Sequence, residues 1–277
     1  MKNITFLGAG SMAEAIIGGL LAQNILSPQQ ITVTNFTDEQ RLKQLSAQYD
    51  VKVTRNRQEA VAKADVIIFA MKPYGIKDSI TEIRDFVNRE SLFISILAGV
   101  PTHFIEELLG FEAAVIRTMP NTSAFVRHSA TAITKGRFTK PEHLKAVNQL
   151  FDALGTVLET DESKLDAITG LTGSGPAYLY YFIEGLYEVA HLSGLHQDEA
   201  HTLITETIIG VGQRLKATEK TPEQLYREVM SPNGTTEAGF QHLERFQVQE
   251  QFKDAVLKAI NRSKELGKVY ANHNNPL

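Results

Sequence analysis

The chain of 277 residues contains no cysteine. That excludes disulfides, thiolate zinc sites and a cysteine nucleophile, and it suits a reducing compartment. Positive charge is not in excess either. Lys and Arg number 28 against 32 Asp and Glu, a formal charge of −4, so there is no basic footprint for nucleic acid or an anionic membrane. Long hydrophobic runs are missing too. The opening MKNITFLGAG holds one short apolar stretch broken by glycines, which reads as neither a signal peptide nor a membrane span. A cytoplasmic protein is expected. What remains is an ordinary globular composition, 43% hydrophobic and 22% charged, in a length comfortable for two domains.

Two patterns divide the chain near residue 160. In residues 1–160, short β-branched runs alternate with amphipathic helical stretches: ITFLG (4–8), ITVT (31–34), VKVT (51–54), VIIFA (66–70), LFISIL (92–97), AVIRT (114–118), ATAIT (130–134) and TVLE (156–159). Several are apolar throughout, as in strands covered on both faces. Alternation at this spacing predicts an α/β domain of Rossmann type, with a parallel, doubly wound sheet. In residues 161–277 the strand signals stop, and an all-α domain is expected. Its segment PAYLYYFIEGLYEVAHLSGL (176–195) carries Tyr178, Leu179, Tyr181, Phe182, Leu186, Tyr187 and Val189 on nearly every helical face. Such a helix must be buried, and a second copy of the chain is the expected cover. The closing ANHNNPL is polar and expected to fray.

The first loop, FLGAGSMAEA, places Gly8-x-Gly10-x-x-Ala13 between a strand and a helix. That is the context a dinucleotide fingerprint requires. Gly8 makes the tight turn, Gly10 lets the backbone approach a pyrophosphate, and Ala13 permits close helix–strand packing. At the end of the second strand stand Thr34, Asn35, Phe36 and Thr37 rather than the Asp or Glu that grips an NAD ribose. TDEQ (37–40) has a capping-box pattern that opens a helix there. Asn35, Thr37 and those amides, with Arg41 one turn on, are expected to cradle a 2′-phosphate, which favours NADP. AMKPYG (70–75) ends the fourth strand and turns Lys72 and Pro73 towards the cofactor.

Two further loops read as anion sites. Gly173-Ser174-Gly175 precedes Pro176, a helix start with exposed amides. SPNGTTEAGF (231–240) repeats the design, with Asn233-Gly234 turning the chain and Thr235, Thr236 and Glu237 opening the next helix. Two such loops attached to a dinucleotide fold suggest a carboxylate pocket.

The segments FLGAGSMAEAI, AMKP, MPNT (119–122), TGSGPAYLYYF and SPNGTTEAG, in that order and spacing, resemble the pyrroline-5-carboxylate reductases over essentially the whole chain. The last three motifs together are specific, whereas the first is shared by many dehydrogenases. The resemblance implies reduction of 1-pyrroline-5-carboxylate to L-proline, the last step of proline synthesis, with NADPH or NADH. It implies cofactor contacts at Leu7, Gly8, Ala9, Gly10, Ser11, Met12, Asn35, Thr37, Asn56, Ala70, Met71, Lys72, Pro73, Ala98, Pro120 and Asn121. It also implies a homodimer interlocked through the helical domain, assembled into larger rings such as a decamer. On that analogy, one subunit's cofactor meets the other subunit's 231–236 loop. Phe36 departs from the pattern, because many bacterial relatives carry arginine after the asparagine.

Reduction of a cyclic imine makes light demands. The nitrogen is protonated near neutral pH, so the site needs alignment, a held carboxylate and a hydroxyl near the nitrogen. Thr236 is the candidate catalytic hydrogen-bonding group. Gly234 and Thr235 amides, with Ser174 and Gly175, are expected to hold the carboxylate. Two alternatives stand beside this reading. A β-hydroxyacid dehydrogenase needs a lysine near the start of its first long C-terminal helix, and residues 165–213 contain no Lys or Arg. A non-catalytic NADP sensor would have lost the hydroxyls that Ser174, Thr235 and Thr236 retain. No metal is expected: His191, His196 and His201 are five apart, which is not a shared helical face. Glu184 and Glu188 lie one turn apart and read as a solvent strip rather than a catalytic pair.

Overall fold

The computed structural model describes residues 3–271; residues 272–277, in the tail expected to fray, lie outside them. Eight strands form one sheet: β1 (Ile4–Leu7), β2 (Ile31–Thr34), β3 (Lys52–Val53), β4 (Val66–Phe69), β5 (Leu92–Ser95), β6 (Ala114–Met119), β7 (Ser129–Lys135) and β8 (Gly155–Glu159). Their order is β3-β2-β1-β4-β5-β6-β7-β8. The reversal of strand order beside β1 is the crevice where open α/β sheets bind ligands. β1, β4, β5 and β6 are buried at every residue, which is why their sequences are apolar without alternation.

The sheet is not parallel throughout. β7 pairs antiparallel with β6, with Met119 opposite Ala132, and β8 then pairs parallel with β7. Residues 120–128 form only a tight 3-10 turn between β6 and β7. A parallel crossover needs a dozen residues or more, so the chain turns back instead.

Helices α1 (Ser11–Ala22), α2 (Glu39–Tyr49), α3 (Arg57–Ala62), α4 (Ile76–Ile83), α5 (Thr102–Leu109) and α6 (Pro141–Asp152) cover the two faces. One core joins Ile16, Ile17 and Leu20 of α1 to Phe6, Val33 and Ile68 of the sheet. The other joins Ile76, Ile80 and Ile83 of α4 and Phe104 and Ile105 of α5 to Phe69, Phe93 and Val115. Fully burying such a side chain is worth roughly 1.5–3 kcal/mol.

Residues up to Pro176 and those from Lys258 onward form one compact unit, and Ala177–Leu257 a second. The break therefore falls later than residue 160, because the chain after the sheet packs back on it. Short helix α7 (Leu165–Ile168) puts Leu165 into a cluster with Met119 and Ala132. Glu162 accepts the N–H and the hydroxyl of Thr102 at 2.8 Å each and faces the buried Arg117 guanidinium at 3.3 Å.

The second unit contains most of α8 (Gly175–Leu192), α9 (Gln197–Lys216), α10 (Pro222–Val229), α11 (Thr235–Arg245) and the first part of α12 (Val248–Ala271). Its helix α8 leaves Leu179, Tyr181, Phe182, Leu186 and Val189 exposed in the single chain. Leu179, Phe182, Leu186 and Val189 recur at helical spacing on one face. No helix among the described residues is long and apolar enough to cross a membrane.

Candidate active site

The crevice at the carboxyl ends of β1, β2 and β4 is a cleft of about 730 Å3. Gly8 has φ +125°, and a Cβ there would stand 2.3 Å from the carbonyl oxygen of Ala70. Only glycine fits this turn. Gly10 caps α1 through its backbone alone, with no side-chain cap, and a Cβ on it would meet nothing within 4 Å. The first-turn amides of α1, at Ser11, Met12 and Ala13, have no acceptor among the described residues. Unspent amides at a positive helix end, approachable across glycine, suit a pyrophosphate. The residues present therefore fit a dinucleotide.

Leu7, Gly8, Ala9, Gly10, Ser11, Met12, Asn35, Thr37, Ala70, Met71 and Lys72 line this cleft. Asn56, Pro73, Ala98, Pro120 and Asn121 do not. Asn56 caps α3, accepting the N–H of Glu59 at 3.1 Å. Pro73 opens a 3-10 turn, and Ala98 packs against Met119, Ala132 and Leu165. Asn121 is buried, its amide donating to the Thr172 carbonyl at 3.0 Å and its N–H to Ser129 Oγ at 3.1 Å. Sequence reasoning did not find Arg57 or Tyr74, which also line the cleft. Arg57 stands in no motif, and Tyr74, though inside AMKPYG, carried no signal of its own.

The tip of β2 differs from expectation. Asn35 spends both ends of its amide on Asp38, at 2.8 Å each. The α2 cap is Asp38 rather than Thr37, and its carboxylate accepts the Arg41 N–H at 2.8 Å. Arg41 is turned away, donating to the Ala9 carbonyl at 2.9 Å and to Glu14. Asp is the stronger cap, and the Asn35 turn fixes it in place. Of the expected phosphate cradle, Asn35 and Arg41 are thus committed to the chain's own groups.

The loop before α8 is no helix start. Residues 169–173 form a π-helical turn continuous with α7 and α8, and the Ser174 N–H donates to the Thr169 carbonyl at 2.8 Å. The glycines and proline here mark a widened turn, which π-bulges often place at functional sites. The Ser174 amide is spent, and its hydroxyl has no partner among the described residues.

Residues 231–236 do form a helix start. Asn233 adopts φ +59°, and the Gly234 N–H closes a turn to the Ser231 carbonyl at 2.9 Å. A Cβ on Gly234 would lie 2.4 Å from Ser231 Oγ. Its amide is therefore not free for a ligand, contrary to expectation; Gly234 serves by its shape. α11 begins at Thr235 without a side-chain cap, while Glu237 reaches back to accept the Asn233 N–H at 2.7 Å. The amides and hydroxyls of Thr235 and Thr236 have no partner among the described residues. Glu184 and Glu188 are both exposed. No group of three or more His, Asp or Glu stands together as a metal site among the described residues.

The fold and cleft define a Rossmann-type oxidoreductase that binds NAD(P)H. A family model described as "NADP oxidoreductase coenzyme F420-dependent" matches residues 3–99, and one described as "Pyrroline-5-carboxylate reductase dimerisation" matches residues 162–266. The chain is 38% identical over 271 residues to pyrroline-5-carboxylate reductase 2 of Bacillus subtilis, covering 98% of this chain and 97% of that protein. It is similar to the solved pyrroline carboxylate reductase of Plasmodium falciparum with NADP bound (26% identity, TM-score 0.88, 96% and 98% of the two chains). It is similar also to that of Coxiella burnetii (35% identity, TM-score 0.80, 96% and 98%). The chain belongs to the pyrroline-5-carboxylate reductase family.

Proposed function

We propose that the protein reduces 1-pyrroline-5-carboxylate to L-proline. When bound, the reduced nicotinamide supplies a hydride to the imine carbon; the C=N electron pair moves to nitrogen, which carries a proton into the product amine. The residues hold and orient. The α1 amides and Gly10 grip the pyrophosphate. Thr236 donates a hydrogen bond at the ring nitrogen, and the Thr235 amide and the Ser174 hydroxyl hold the carboxylate, with Gly175 leaving room for it. Positioning and fixed dipoles carry the acceleration. The uncapped start of α11, with two amides and two hydroxyls unspent, is the observation that supports this reading most.

The assembly in this reading is a homodimer through the exposed face of α8, built up into rings such as a decamer. Each site then pairs one subunit's cleft with the 231–236 loop of the other. The direct test follows NADPH absorbance on addition of 1-pyrroline-5-carboxylate, with L-proline identified by chromatography. A steady decrease with proline formed is expected. Tight NADPH binding without turnover would replace the reductase by a cofactor sensor.

A further inference from the structure

Phe36 stands after Asn35, where the family resemblance implies arginine, and Arg41 is committed to Glu14 and the Ala9 carbonyl. Among the charged side chains that line the cleft, the only cations are Arg57 and Lys72. Lys72 follows β4, on the strand that pairs with β1 from the other side. Arg57 opens α3, the helix after β3, and lies beside the β2 tip with its guanidinium carbon 6.0 Å from the centroid of the Phe36 ring. The geometry points to Arg57, stacked on Phe36, as the group that reads the 2′-phosphate of NADPH in this protein.

Three features make it suitable. The side chain is buried, yet it borders the cleft. It is held in one orientation, with Nη1 donating to Glu82 at 2.6 Å and Nη2 to Ser79 Oγ. A guanidinium has five N–H donors, and these two bonds leave the others, including Nε, without an acceptor among the described residues. A preorganised fork with donors to spare matches phosphate geometry. Phe36 is 73% exposed and offers one face to the guanidinium, a cation–π contact. The other reading of the tip, a ribose diol gripped by a carboxylate, finds Asp38 committed to the first turn of α2. Burial lowers the Arg57 pKa and the Glu82 charge raises it; a guanidinium remains charged throughout.

The inference rests on nucleotide binding alone, so its test needs no imine substrate and stands apart from the reductase reading. Dissociation constants for NADPH and NADH are measured by nicotinamide fluorescence on the full chain. Arg57→Gln is expected to weaken NADPH binding by about ten- to a hundredfold, the range for a charge-assisted bidentate contact, with NADH changed less than about threefold. Phe36→Arg in the Arg57→Gln background is expected to restore most of the NADPH affinity. Glu82→Gln, at a half-exposed position, is expected to leave NADH unchanged and to tighten NADPH, because it releases Arg57 from a competing anion. Equal losses for both cofactors in Arg57→Gln, or an unchanged NADPH constant, would overturn the assignment. If Arg57→Gln does not fold, the Glu82→Gln ratio decides alone, and an unchanged NADPH-to-NADH ratio in it counts against the inference.

Discussion

The sheet unit and the helical unit solve the problem of burial in opposite ways. Nearly every buried apolar side chain belongs to the first; in residues 177–257 only Ala190, Ala200 and Val256 are buried among apolar residues. In the first unit, glycine turns and capped helices leave the α1 amides open to a ligand while the core closes on itself. The second exposes Leu179, Phe182, Leu186 and Val189 along one helical face, forgoing stabilisation that association through its dimerisation region recovers. Self-sufficiency goes with the nucleotide cleft, and the exposed apolar face goes with the helical unit. A cofactor site can be finished within one chain, whereas the helical unit needs company.

The contrast can be broken at its chemical end first. Thr236→Ala is expected to lower turnover by roughly ten- to a thousandfold, the range for one positioned donor, with the NADPH dissociation constant within about twofold of the parent. Steady-state kinetics and fluorescence titration read the two effects; equal loss of both would deny that the two units carry separate tasks. At the interface, Leu186→Glu with Val189→Glu is expected to weaken self-association by about thirtyfold or more, since a central apolar anchor is worth about 2 kcal/mol. Sedimentation velocity across a dilution series measures it, and an unchanged assembly would move the interface off this face of α8.

The smallest effect concerns the sheet unit alone. Glu106 is buried, its pKa raised mainly by burial, with the Glu162 charge adding and the Arg137 N–H, His103 and Arg137 opposing. A carboxyl raised in the folded state binds its proton more tightly there than when unfolded. Its contribution is fully present below the unfolded value and is lost as pH rises through the folded one. Glu106→Gln keeps an acceptor for the Arg137 N–H, at 2.8 Å in the parent, and drops the buried charge. The variant is expected to melt about 1–2 °C higher at neutral pH, with the gain fading under acid conditions. A gain that persists at low pH would assign it to packing.

Much of this was legible in residue pattern. All eight strands lie where β-branched runs place them, and for β1, β4, β5 and β6 the reason is that a strand buried on both faces has no alternative composition. Gly8 and Gly10 were legible for a similar reason: one needs a positive φ and the other an open approach. What escaped was decided by competition between neighbours. Nothing local says that Asp38 outbids Thr37 as a cap, or that Asn35 folds onto Asp38 rather than facing a ligand. The Gly173–Pro176 stretch carries the marks of a helix start, yet Ser174 bonds five residues back and the helix runs through. The direction of β7 could have been read by counting the nine residues between MPNT's methionine and Ser129. Arg57 had no signal, since only tertiary packing brings the start of α3 beside Phe36.

The last helix has a consequence for how the protein comes into being. Gly267 of α12 meets Gly99 backbone to backbone, a Cβ on Gly267 falling 3.0 Å from the Gly99 carbonyl oxygen, and Ser263 donates to Asp166 at 2.6 Å. Tyr270 rests on Phe104 with ring centres 4.9 Å apart. A nascent chain emerging from the ribosome can gather the first eight strands early, as N-terminal segments do. The seam along Gly99 and Phe104 stays open to water until residues 263–270 of α12 have been synthesised and have travelled back. The sheet unit thus waits for the later part of α12, which follows the whole helical unit in sequence, and a translation pause before α12 would leave its flank exposed to chaperones.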